Sequence, residues 1–246
     1  LHDDFNKVVS LVKKEKIKLE KPFINVYKIL IDSYVQESAG GGFRYPKARE
    51  AFFDSFQRGS LVVNYLGHGG EDGLAVERIW DKTDSQNLYN QYKLPLFITL
   101  TCEFSRFDNP NRITAGELIY LNQKGGAIAM ITTVREIGQQ TAQNINDVLS
   151  QNLLAYGSSN YPSMAEALRL TENTNSSNVI RFIGEPAINL RIPKSKIILT
   201  KVNDVDMNGA IDDLKSLATV KLSGQIVDEN NNLQSSYNGA LTVNIY

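Results

Sequence analysis

The sequence predicts an α/β protein: an open, mostly parallel sheet flanked by helices, followed by a partial antiparallel β-sandwich. Three observations predict it. Apolar, β-rich runs alternate with amphipathic helical stretches over residues 1–193. Two of the runs, "LPLFITLTC" (94–102) and "GGAIAMITT" (125–133), are almost unbroken apolar segments, as strands buried on both faces are. After Pro193 the helical period fades, and alternating strands separated by polar turns take over.

The elements follow in order. Residues 4–19 read as an amphipathic helix with Phe5, Val8, Val9, Leu11 and Val12 on one side. Residues 23–31, "FINVYKILI", are a β-rich run, and "SAGGG" (38–42) reads as a flexible loop. Pro46 opens a helix over 46–58 that carries Ala48, Ala51, Phe52 and Phe56. "SLVVNYLG" (60–67) is a strand. The polar segment 81–93 is either an ordinary crossover or a lid. Thr114 and Glu117 have the spacing of a capping box at the start of a helix over 114–123. Residues 139–156 and 162–173 read as helices, and 179–192 as an extended, Pro-interrupted stretch. "SKIILTKV", "LATVKLSGQIVD" and "GALTVNIY" are the strands of a second domain over 194–246, which reads as incomplete because three strands leave a sheet poorly covered.

Composition narrows the function. The apolar fraction of 42% is that of an ordinary globular protein. A formal net charge of −1 gives no broad attraction to nucleic acid or anionic lipid. No apolar run reaches the ~18 residues of a membrane-spanning helix. The chain starts with Leu1 and shows no signal peptide, so it reads as a fragment of a longer precursor. Its one cysteine, Cys102, rules out an internal disulfide and a cysteine-based zinc site.

His68 lies in "LVVNYLGHGG", just past the end of one strand. Cys102 is expected as the last residue of the next. In a parallel sheet both then share the carboxyl rim, on strands ~5 Å apart. One imidazole and one thiol on one rim suit a Cys–His dyad, in which the imidazole takes the thiol proton and returns it to the leaving amine. Gly67, Gly69 and Gly70 leave the backbone bare, and the N–H groups of Gly69 and Cys102 together would form a two-donor oxyanion hole. The plainer reading is a glycine turn with a locally bonded histidine, beside a cysteine that serves as a small apolar residue.

The blocks "NYLGHGGEDGLAVERIW" (64–80), "PLFITLTCEFSRFDNPNRITAGEL" (95–118), "GGAIAMITTVRE" (125–136) and "FIGEPAINL" (182–190) resemble the gingipain family of cysteine peptidases in the caspase-like clan. "GHGGEDG" and "TCEFSRFD" are most similar to the C-terminal signal peptidases, or sortases, of the type IX secretion system. The resemblance covers most of the chain and implies catalytic roles for His68 and Cys102. It implies a first half of the peptidase domain upstream of this fragment, where a third catalytic residue would lie. It also implies a bacterial cell-surface, outer-membrane-associated protein. Its partners would be secreted cargo bearing a C-terminal signal domain, an outer-membrane barrel protein of the type IX system and a lipopolysaccharide amine as acceptor. No cofactor is required. The alternatives are a broad-specificity secreted gingipain-like protease and a non-catalytic surface binding module, the latter disfavoured by the His68–Cys102 pair.

Neighbouring charges have two readings each. Glu71, Asp72 and Glu103 either orient His68 or a substrate amine, or are solvated loop charges. Arg106, Asp108 and Arg112 either contact substrate or pair with one another to fix a turn-rich loop. Arg135, two residues past Thr133, projects from the same rim toward substrate or into scaffold. "DVDMNGAID" places Asp204, Asp206, Asn208, Gly209 and Asp212 at calcium-loop positions, but Lys215 stands where the bidentate acid belongs. Calcium is therefore only a secondary expectation there.

Overall fold

The computed structural model describes residues 16–21, 23–40, 42–174, 177–192, 195–215, 218–228 and 230–239. It divides into two compact units, Leu1–Leu190 and Arg191–Tyr246.

The first unit is built on four strands, β1 (Val62–Leu66), β2 (Leu96–Leu100), β3 (Ala129–Thr133) and β4 (Ile180–Ile183), in that spatial order. β1, β2 and β3 are parallel, and β4 closes the edge antiparallel. Every residue of β2 and β3 is buried, which is why their sequences are apolar without alternation.

Helices cover both faces. On one, helix α1 (Pro46–Arg58) buries a stripe of Ala48, Phe52 and Phe56, spaced four apart. Those rings meet Tyr65 of β1, Phe97 of β2 and Trp80; Phe56 stands 5.0 Å from both Phe97 and Trp80, centroid to centroid. Full burial of each such side chain stabilises the fold by about 2–3 kcal/mol. Because side chains alternate along a strand, Asn64 points to the other face, where it donates to Asn146 at 2.7 Å. Asn146 lies on α4 (Gln139–Leu153), which packs against α5 (Met164–Glu172).

The capping box stands as spelled: the Thr114 hydroxyl accepts from Glu117 N–H, and the Glu117 carboxylate accepts from Thr114 N–H at 2.8 Å, opening α3 (Ala115–Tyr120). The polar crossover holds a second one, Asp81 with Asp84, at the start of α2 (Lys82–Asn87).

Several expectations change. Most of the 4–19 helix lies outside the described residues; residues 16–20 are helical. Residues 24–30 form no helix and pair in no ladder among the described residues, although Ile29 and Ile31 still pack on the core. β-propensity reflects fit to a neighbouring strand, and no such neighbour is described there. The 38–42 loop belongs to a hairpin, Glu37–Ala39 against Gly42–Arg44. Gly42, at φ +120°, makes the return that residues with a Cβ avoid. Between His68 and α2 a small antiparallel sheet forms from Gly69–Gly70, Gly73–Leu74 and Trp80–Asp81.

The lid reading of 81–93 fails. Leu88 and Asn90 are buried. The Asn90 amide both accepts from Gly126 N–H at 2.7 Å and donates to Gly126 carbonyl at 3.0 Å. Asn122 donates to the carbonyls of Ser85 and Leu88. These bonds pin the segment where β2 and β3 begin, at the end of the sheet opposite Cys102.

In the second unit β5 (Lys196–Val202) pairs antiparallel with β6 (Val205–Asp206) and β7 (Leu222–Val227). The expected last strand lies outside the described residues except for Gly239. Asn203 and Asp204, both at positive φ, form the two-residue loop between β5 and β6. The proposed calcium loop thus starts inside a hairpin turn. Its first two aspartates face lysines: Lys221 lies 2.7 Å from Asp204 and Lys201 3.8 Å from Asp206.

Candidate active site

Register across the sheet sets the geometry. Tyr65 is opposite Thr99, Thr99 is opposite Thr132, and Thr132 is opposite Arg181. Three positions beyond this row, toward the carboxyl rim, stand His68, Cys102 and Arg135. On the antiparallel β4 the matching residue is Asn178. Between β3 and β4 the pairing persists past the strand ends, since Val134 N–H donates to Val179 carbonyl at 2.9 Å. Neighbouring strands lie about 5 Å apart. His68 and Cys102 therefore follow adjacent parallel strands, each two residues past the paired Leu66 and Leu100.

Cys102 is not the last residue of β2, which ends at Leu100. It sits two residues further on, in the bend that follows. That bend is sewn to the end of β3. The Thr133 hydroxyl donates to Thr101 carbonyl. Ser105 N–H donates to Thr133 carbonyl at 3.1 Å, and Glu103 N–H to Arg135 carbonyl at 3.3 Å. The thiol is partly exposed, with its sulfur 4.0 Å from Ile137 carbonyl. Glu103 holds φ +51°, a left-handed turn at a non-glycine residue directly after the cysteine.

The histidine loop is held just as closely. The His68 carbonyl accepts from Ala75 N–H at 2.8 Å and from the Tyr65 hydroxyl at 2.7 Å. Burial pushes the Tyr65 phenol well above its ordinary range, with Glu77 adding to the shift, so it stays a donor. The Ala75–His68 bond flanks the Gly69–Leu74 pair, which makes that pair a non-hydrogen-bonded one. In such a pair the N–H of Gly69 points away from the partner strand. That orientation leaves it directed outside its own small sheet.

The acids near the site all have partners, and Glu71 is nearly buried whereas Asp72 is exposed. Glu71, only 10% exposed at its side chain, accepts from Asn109 at 3.0 Å and stands 3.5 Å from Arg106 and from Arg112. Its backbone carbonyl accepts from Ala115 N–H. Asp72 is bonded by Lys82 at 2.7 Å and by Arg112 at 2.6 Å, which hold its carboxyl below the usual range. Arg106 also donates to Glu103 at 2.9 Å. Arg106 and Arg112 thus do anchor the loop, but through acids on both loops rather than by pairing with Asp108. Asp108 is held by Arg135 through two bonds, which depress its carboxyl.

Tyr65 was not singled out by sequence reasoning. Tyr65 stands inside the stretch that drew attention to His68, but nothing local marks its hydroxyl as a loop anchor. Among the described residues no cluster of three or more His, Cys, Asp or Glu side chains is arranged to hold a metal ion.

The model of peptidase family C25 matches residues 6–191, and the chain belongs to that family. No curated protein matches the chain. Among solved structures it is similar to the complex of Porphyromonas gingivalis RgpB pro- and mature domains, at 18% identity and a TM-score of 0.50, over 61% of this chain and 40% of that one. It is similar also to the Arg-specific cysteine proteinase gingipain R (RgpB), at 18% identity and a TM-score of 0.51, over 61% of this chain and 39% of that one. These likenesses show the gingipain-type fold. The chain spans about two fifths of the length of those structures.

Proposed function

We propose that this chain carries the nucleophile and base of a cysteine endopeptidase, and that the whole protein is a PorU-type C-terminal signal peptidase of the type IX secretion system. The observation that carries the peptidase reading is that His68 and Cys102 each stand two residues past the paired Leu66 and Leu100 at the ends of adjacent parallel strands. His68 takes the Cys102 proton, and the thiolate attacks the scissile carbonyl. The N–H groups of Gly69 and Cys102 receive the developing oxyanion. His68 then protonates the departing amine, leaving a thioester on Cys102. Water resolves it to a free acid, or a lipopolysaccharide amine resolves it to an amide. None of these steps needs a cofactor.

The sortase part rests on the likeness of "GHGGEDG" and "TCEFSRFD". Its cargo would be secreted proteins with a C-terminal signal domain, processed at the cell surface beside an outer-membrane barrel protein. The test is Cys102→Ala in the full-length protein, with mass spectrometry of the cargo. Loss of processing with an unchanged melting temperature is expected, and wild-type processing would sink the dyad. Amine-linked cargo from the wild type supports the sortase, while cargo released only as free acid supports a hydrolytic gingipain-like protease.

A further inference from the structure

On the side of Cys102 away from His68 the rim row continues through Arg135 to Asn178. These two residues, with Phe107, Asp108, Val134 and Arg181, line a recess of about 320 Å³. It begins one residue from the nucleophile, because Glu103 N–H bonds Arg135 carbonyl. A second recess of about 340 Å³ shares Phe107 and Arg181 and is walled otherwise by the apolar Tyr120, Leu121, Phe182 and Ile183 and by Glu117, whose carboxylate is taken up by the Thr114 N–H and hydroxyl.

The charges in the first recess do not cancel. Asp108 is spent on Arg135. Arg181, exposed on the edge strand β4, bonds the carbonyl of Ile180 at 2.7 Å and has no acidic partner among the described residues. Its remaining donors suit a carboxylate, which a guanidinium can bind in a fork. Asn178 adds a neutral amide beside it.

We propose that this recess is a specificity subsite for an acidic side chain of the polypeptide substrate, bound by Arg181, with the adjoining apolar recess taking an apolar neighbour. The proposal rests on the peptidase reading, since it needs a polypeptide laid across the rim at Cys102. An extended chain alternates its side chains as a strand does, so one can enter the polar recess while others meet the apolar one.

The test uses the full-length protein carrying Cys102→Ala, which binds without turnover. The probes are fluorescein-labelled peptides in which a single Asp is walked along a neutral Ala–Leu scaffold, each paired with its Asn isostere. Anisotropy should find a position where Asp binds on the order of tenfold more tightly than Asn. Arg181→Gln should remove that advantage and Arg181→Glu should reverse it. No preference at any position, or one that survives Arg181→Glu, overturns the subsite. The active enzyme separates the two readings. Peptides cleaved with no acidic preference keep the peptidase and remove the subsite. An Asp preference in binding without any cleavage keeps the subsite and removes the peptidase.

Discussion

Gly69 lies flat against Thr101, so that a Cβ added to residue 69 would stand 2.6 Å from the threonine hydroxyl and 2.9 Å from its methyl group. The contact joins the residue after His68 to the residue before Cys102. Thr101 is buried and cannot swing into solvent. The spacing between the two loops is therefore set by the absence of a side chain at 69. Under the proposed mechanism, Gly69→Ala should push the loops apart and lower kcat/KM of the full-length protein by about 10²-fold, as the loss of one oxyanion donor does. Thr101→Ala in the same background should restore part of the rate by returning the space. An unchanged rate in Gly69→Ala would remove this contact from the site.

Arg106 bridges the same loops by charge, with Glu103 on one side and Glu71 on the other. Glu71 is nearly buried, so Glu71→Ala leaves two guanidinium groups and the Asn109 amide without it. The expected loss is about 1–3 kcal/mol in urea unfolding. A double-mutant cycle with Arg106→Ala should give a coupling of about 1 kcal/mol. Additive effects would show that Arg106 does not tie the two loops and serves only Glu103 within its own loop.

That bridge also marks where sequence reading stops. β2 and β3 were legible because strands buried on both faces leave continuous apolar runs, and the α3 capping box because its two partners sit three residues apart. The rim placement of His68 and Cys102 follows from strand order alone. Glu71 meets Asn109 and Arg112 across a crossover, and no local pattern encodes which acid meets which base. The β-rich run at 23–31 misled for a related reason: its composition reports a suitable surface, not the presence of a neighbouring strand.

Asp72 gives a pH signature. Lys82 and Arg112 both bond it, so its folded-state pKa lies below the ordinary 3.8. A depressed carboxylate contributes stability that is present above the unfolded value and lost as pH falls through the folded one. The side chain is 66% exposed, so solvent screening keeps the contribution below about 1 kcal/mol. Asp72→Asn should therefore be slightly less stable than wild type at pH 7, with the gap closing below about pH 4. Urea midpoints across that range measure it. A gap that widens in acid would contradict the sign.

Glu103 turns left-handed immediately after Cys102, at φ +51°. That conformation costs a residue with a Cβ roughly 1 kcal/mol relative to glycine. The turn is held by Glu103 N–H on Arg135 carbonyl and by the carboxylate on Arg106. Simple replacement confuses the two contributions, because removing the side chain also removes the ion pair. The informative comparison is Glu103→Gly against Glu103→Ala, which both lose the carboxylate and differ only in backbone preference. If the turn is strained, the glycine variant should be more stable than the alanine variant by about 1 kcal/mol, even though glycine also gains freedom in the unfolded chain. The same comparison reads function. Cys102 depends on this turn for its place on the rim, so the alanine variant should also show slower iodoacetamide alkylation of Cys102 than the glycine variant. Equal stability and equal alkylation in the two variants would show that the turn stores no strain.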